Sequence, residues 1–177
     1  MMMNQAYSIP FAGLKLGKHE IKYIIDNTFF EEFEYSEFNN AQIGLVVVLE
    51  RMSTMLELEM KASGTINLDC DLTSEPYDQE IKSSLDLVVK FGEEYNDEDD
   101  EILVIPHGEH QINIAQYIYE MLVLAVPPKR IHPGVLDGTL QSDVLKKLEE
   151  LRPKESKRRT EQTDPRWDVL KDLKTDN

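Results

Sequence analysis

The chain has 177 residues, of which 41% are hydrophobic, and its formal net charge is −15. That length suits one domain with a tail, and the apolar fraction supports a packed core and excludes disorder throughout. Residues 1–145 hold 26 acids against nine lysines and arginines, a net −17, whereas residues 146–174 hold ten bases against seven acids, a net +3; an acidic body argues against a direct grip on a phosphate backbone and suits a basic partner, although simple solubility accounts for it as well.

Residues 8–26 read as a short extended segment, a turn region at Gly13 and Gly17, and a strand over 20–25. Residues 27–40 set Phe29, Phe30, Phe33, Tyr35 and Phe38 among glutamates. This is a short helix or irregular segment tucking its rings against a sheet, or else an exposed aromatic-acidic contact patch. From 42 to 91 the apolar period is two. Ile43, Leu45, Val47 and Leu49 share one face, as do Leu56, Leu58, Met60 and Ala62. Ile66, Leu68, Cys70 and Leu72 repeat the pattern, followed by Ile81, Leu85, Leu87, Val89 and Phe91. Such alternation marks strands with one buried face. Short connections at 51–54, 63–64 and 73–76 predict a curved, four-stranded antiparallel meander.

Residues 92–101, GEEYNDEDDE, form an acidic loop with seven carboxylates in ten residues. A short strand follows over 102–105, stopped by Pro106. A helix over 113–126 comes next, with Asn113 as cap and Gln116 completing a capping box. Ile114, Tyr117, Ile118, Met121, Leu122 and Ala125 recur at helical spacing, Glu120 is the only charge, and Pro127-Pro128 end the helix. A helix of about 13 residues is marginal alone in water, so burial must hold it. The expectation is a core helix covered by the sheet, with a groove- or partner-facing helix as the alternative. Further on, Ser142 or Asp143 caps a helix running to Leu151, and 152–163 is a basic linker without periodicity, read as mobile. Asp164-Pro165 starts a last short helix with Trp167, Leu170 and Leu173 on one face. The predicted fold class is α+β: a curved antiparallel β-meander packed by one apolar helix, forming a body over 1–134, with a short helical, partly mobile tail over 135–177.

A single cysteine, Cys70, allows neither a disulfide framework nor a cysteine-rich zinc site within one chain. A cytoplasmic setting is the default expectation. Residues 1–20 lack the basic start and apolar run of a signal peptide, and no apolar run approaches the ~18–20 residues that cross a bilayer. The acidic loop lacks the glycine and the twelfth-position glutamate of an EF-hand. His107 and His110 flank Gly108 and Glu109 in a loop and read as surface histidines, and Cys70 reads as a small hydrophobe. No G-x-S-x-G, P-loop or G-x-G-x-x-G occurs. The expectation is therefore no enzyme, no metal and no cofactor. Glu93, Glu94, Asp97, Glu98, Asp99, Asp100 and Glu101 are the candidate landing site for a basic partner. In the tail, Lys157, Arg158, Arg159, Arg166 and Trp167 can meet RNA or a partner by phosphate contact and stacking, unless Trp167 packs back on the body.

Four stretches together resemble the YceD family, the large ribosomal RNA subunit accumulation proteins, and most of all its Bacteroidetes-type branch. They are FAGLKLGKHEI (11–21), GTINLDCDLTSEPYDQEI (64–81), VKFGEEYNDEDDEILVIPHGEHQINIAQYIYEMLVLAVPPKRIHP (89–133) and DPRWDVLKDL (164–173). Two departures stand out. The family often carries C-x-x-C where this chain has Cys70 and Thr73, and many members have a cysteine-rich segment where 134–163 has none. The resemblance implies a non-enzymatic role in accumulating large-subunit ribosomal RNA, with a large-subunit ribosomal protein, ribosomal RNA or both as partner and no membrane. Competing readings are a small-ligand-binding domain, if a sizeable void lies under Tyr117, Met121 and Leu124, and a metal-dependent hydrolase whose site forms only in the fold.

Overall fold

A computed structural model of the protein describes residues 5–99 and 101–152. The period-two stretches become long strands. β2 (Gly17–Asp26), β3 (Asn40–Arg51), β4 (Met55–Asp69) and β5 (Pro76–Gly92) are sequential antiparallel neighbours. Each buries alternate residues: Ile43, Val47 and Leu49 on β3 and Leu56, Met60, Ile66 and Leu68 on β4 are fully buried. Their opposite faces are mostly polar and exposed, except on β3, where Val46 and Val48 are half-buried. The chain then forms a hairpin of β6 (Asn96–Asp99) and β7 (Ile102–Pro106). β7 lies parallel to β5 and β6 closes the edge, giving the order β2-β3-β4-β5-β7-β6. A separate two-stranded ladder joins β1 (Ser8–Pro10) to β8 (Gln111–Asn113). The architecture is α+β with a mostly antiparallel open sheet.

The meander has four strands, but not those expected from residues 42–91. Ser63-Gly64 is no turn: β4 runs through it for 15 residues, so three strands occupy the stretch and β2 supplies the fourth. The reason is close backbone approach. Gly64 opposes Ile43, and a Cβ there would lie 2.2 Å from the Gln42 carbonyl oxygen and 2.6 Å from Ile43 Cα. Glycine marks crowding between adjacent strands rather than a reversal.

Two helices cover the buried face. α1 (Asn27–Glu32) is capped by Asp26, whose carboxylate accepts from the Thr28 N–H at 3.0 Å. It buries Phe29 and Phe30, which join Tyr7, Phe33, Tyr35 and Phe38 in an edge-on aromatic cluster. α2 (Ala115–Leu124) follows β8 and buries Ala115, Ile118, Met121 and Leu122. Phe33 stacks on Tyr119 with centroids 4.4 Å apart, tying the two helices together. Asn113 accepts from the N–H of Ala115 at 2.9 Å, but it stands one residue before the N-cap, which is Ile114 and has no capping side chain, so the expected cap is displaced. The capping box does not close, because the Gln116 amide turns forward to Glu120 at 2.6 Å. Only about 10 residues are helical, so packing holds the helix: burial of Ile118 and Leu122 contributes roughly 1.5–3 kcal/mol each.

α3 (Pro133–Leu136) ends this unit, which spans residues 1–140; residues 141–177 form a second compact unit. Its described element is α4 (Asp143–Leu151), capped by Ser142, whose hydroxyl accepts from the Val144 N–H at 3.3 Å. None of its residues is buried. The linker and the Trp167 helix lie outside the described residues.

Gly64→Ala is expected to destabilise the protein by about 1–3 kcal/mol, because a backbone neighbour cannot yield as a side chain can. Gly44→Ala, whose added Cβ meets only the Ser63 carbonyl oxygen at an ordinary 3.7 Å, should leave stability unchanged or slightly raised. Urea titration of both variants distinguishes them; equal midpoints would remove the crowding argument.

Candidate functional site

The acidic loop contains a short strand. Asn96–Asp99 pairs with β7, with an irregular register between Asn96 and Asp99, and all four residues are exposed. β7 would otherwise present an open edge, and charged side chains on the new edge discourage pairing with another chain. Glu93 and Glu94 precede this strand, Asp97, Glu98 and Asp99 lie on it, and Glu101 follows in the turn, where its carbonyl accepts from the Val88 N–H at 2.8 Å. Asp100 lies outside the described residues, as do Lys157, Arg158, Arg159, Arg166 and Trp167.

Two of those acids are brought to something the sequence reading missed. Asp97 and Asp99 form one wall of a groove of about 660 Å³, whose other wall is α2, through Tyr117, Glu120, Met121 and Leu124. Glu32 and Phe33 of α1 close one end, and Ser83, Ser84 and Leu85 of β5 form the floor. α2 is therefore covered by the sheet on one side only. Leu124 is 82% exposed and Tyr95, which also lines the groove, is 58% exposed. The Tyr95 hydroxyl donates to Asp97 at 3.1 Å. Tyr117 reports the local field: burial first, then the negative charges of Asp97 and Glu120 among its neighbours, push its phenol up to about 12. It stays a protonated donor at any working pH.

The charge of this region has a simple origin. No lysine or arginine occurs between Lys22 and Arg51, nor between Lys90 and Lys129. The first stretch contains α1 and the second contains β6 and α2, so both walls come from base-free sequence. That pairing of two base-free stretches was the available signal for the groove. The outer sheet face differs. There Lys18 pairs with Glu50 at 3.5 Å, Lys22 with Glu20 at 3.0 Å, and Lys61 with Glu59. A hollow of about 960 Å³ lies open on that face over Gly44, bordered by Lys22, Lys61 and Lys82. Its charged lining residues are all lysines, of which Lys22 and Lys61 are paired with Glu20 and Glu59.

Cys70 is buried, as a small hydrophobe would be. A histidine does approach it, through its main chain: the His132 N–H donates to Sγ at 3.3 Å, while the His132 ring packs edge-on against Tyr77. Burial alone would raise the thiol; the His132 N–H, the Thr73 hydroxyl and the N–H groups of Leu72 and Thr73 outweigh it and hold it below its ordinary value. Thr73, where the family often has its second cysteine, thus donates to the first. His107 and His110 are exposed. Among the described residues no three His, Cys, Asp or Glu side chains gather to hold a metal ion, and no helix is long and apolar enough to cross a membrane.

Arg130 secures the chain beyond α2. Its N–H donates to the Asp71 carboxylate and its carbonyl accepts from the Asp71 N–H, both at 2.8 Å, while its guanidinium binds Glu37. The Arg130 hydrogen bond holds the Glu37 carboxyl below its ordinary range. The pair's contribution is thus complete above that range and is lost as pH falls through the lowered value. Glu37→Gln should lower stability at neutral pH by no more than about 1 kcal/mol, since Glu37 is half exposed and solvent screens the pair. Thermal melts across pH should show wild type and variant converging only in strong acid; a gap that persists there would mean the charge is not the cause.

A family model described as "Large ribosomal RNA subunit accumulation protein YceD" matches residues 58–174. The match runs from β4 through the acidic hairpin and α2 and continues past α4. No curated protein and no solved structure matches the chain.

Proposed function

This chain belongs to the YceD family, and from that membership we propose that it supports accumulation of large-subunit ribosomal RNA, and so ribosome assembly, without catalysing a reaction. It does so by holding a basic large-subunit ribosomal protein, ribosomal RNA, or both. The family match over residues 58–174 carries the reading. The base-free acidic hairpin supports the protein partner, since a cationic ribosomal protein is drawn to an uncompensated negative patch at low salt. Glu93, Glu94, Asp97, Glu98, Asp99, Asp100 and Glu101 are its contact residues in this reading, and Lys157, Arg158, Arg159, Arg166 and Trp167 supply RNA or further partner contacts. The protein acts in the cytoplasm, where ribosomes are built.

One observation favours a second reading, a small-ligand-binding domain: the groove touches Tyr117, Met121 and Leu124, and its volume lies within the roughly 300–1,000 Å³ typical of ligand sites. Against it, the exposure of Leu124 and Tyr95 makes this a surface cleft rather than an enclosed chamber, and an elongated segment fills such a cleft better.

Cells lacking the protein should show a fallen ratio of large to small ribosomal subunits on sucrose gradients. A balanced ratio would sink the family reading for this chain. Replacing the hairpin acids with Asn and Gln should weaken capture of basic large-subunit proteins, and raised salt should weaken capture by the unaltered chain. Capture insensitive to both would remove the acidic hairpin from the account.

A further inference from the structure

We propose that the groove between α2 and the β6 edge is the docking site for a Lys/Arg-rich amphipathic helical segment of a partner protein. This rests on the functional reading above and names the surface and the chemistry that reading leaves open. Three features of the groove converge. Among the described residues the groove is lined by four acids, Glu32, Asp97, Asp99 and Glu120, and by no lysine, arginine or histidine. Its walls hold apolar and aromatic surface, Phe33, Tyr117, Met121 and Leu124, which an exclusively hydrophilic ligand would leave wet. Leu124 in particular stands almost free at the last turn of a helix whose opposite side is core.

A partner must satisfy both features at once. An amphipathic helix lays an apolar stripe at i, i+3 and i+4 into such a groove. Bases beside that stripe reach Asp97 and Asp99 on one bank and Glu120 on the other. Arginine gains further, because the rings of Phe33, Tyr95 and Tyr117 offer faces for cation–π contact. Nucleic acid is disfavoured here, since its phosphates would meet the same carboxylates. An acidic or neutral helix would gain the apolar contact and lose the electrostatic part.

The test uses the full-length protein and a fluorescent 18-residue peptide with leucines on one helical face and Lys/Arg on the others. Controls are the same residues scrambled to destroy that face, and a labelled single-stranded RNA. Anisotropy should show the amphipathic peptide binding at least tenfold tighter than its scrambled form. Leu124→Ser should weaken it several-fold, and Asp97→Lys with Glu120→Lys should weaken it tenfold or more. Both sets of positions are exposed or on the rim, and circular dichroism melts check that folding is kept. Lys82→Glu, on the outer face, should leave binding unchanged. Equal affinity for the two peptides, binding unaffected by the groove variants, or RNA bound through the groove would each overturn the proposal. The two levels separate in cells. Unchanged peptide binding in the groove variants, alongside a fallen subunit ratio in cells lacking the protein, discards the groove and keeps the family reading. Peptide binding lost in Asp97→Lys/Glu120→Lys, with a balanced subunit ratio both in cells lacking the protein and in cells carrying that variant, keeps the groove and discards the ribosomal role.

Discussion

The constraint behind this structure is that a long, one-sided sheet must have its apolar face covered, and the chain has little to cover it with. β3, β4 and β5 present a face of mainly aliphatic buried side chains, and leaving them wet would cost about 25 cal/mol for every Å² exposed. Coverage comes from a six-residue helix, a cluster of aromatic rings and a ten-residue helix. Neither helix is stable by itself, so sheet and cover define each other. Phe33 stacked on Tyr119 is the hinge of that arrangement. The cover is also incomplete, and the gap between α2 and the β6 edge is the groove.

Function then follows from where charge falls relative to that gap. On the outer sheet face Lys22 and Lys61 pair with glutamates two residues earlier on their own strands, and Lys18 pairs with Glu50 across β2 and β3. Around the groove no such compensation exists, because the stretches that build its walls contain acids and no bases. Part of the net charge of −15 is therefore gathered where apolar surface is also available. The same acids keep the β6 edge from pairing with other chains, so the proposed recognition role falls on a strand that already has a structural one.

Much of the fold was legible. The period-two pattern, the Ser142 cap and the apolar helix before Pro127 all correspond to elements, whereas the cap expected of Asn113 falls on Ile114. The division at Ser63-Gly64 was misread as a turn. Leu56, Leu58, Met60, Ala62, Ile66 and Leu68 all have even numbers, so the buried face never changes phase across the glycine, and that unbroken parity was the sign of one strand. The acidic stretch hid a strand because its side chains carry no alternation; only the need of β7 for a neighbour reveals it. Gln116 had two partners within reach, and Glu120 took it. The groove was illegible from any one element, since Asp97 and Asp99, Tyr117 and Glu120, and the far more distant Glu32 and Phe33 come together only in the fold.

The central claim is that this uncovered, acid-walled gap is where a cationic partner sits. Backbone amide shifts of the labelled protein, followed as proteins extracted from the large ribosomal subunit are added, test it most directly. The account predicts that perturbed amides cluster at Phe33, Tyr95, Asp97, Tyr117, Glu120 and Leu124. Perturbations confined to the outer sheet face around Lys22, Lys61 and Lys82, with these six unmoved, would contradict it.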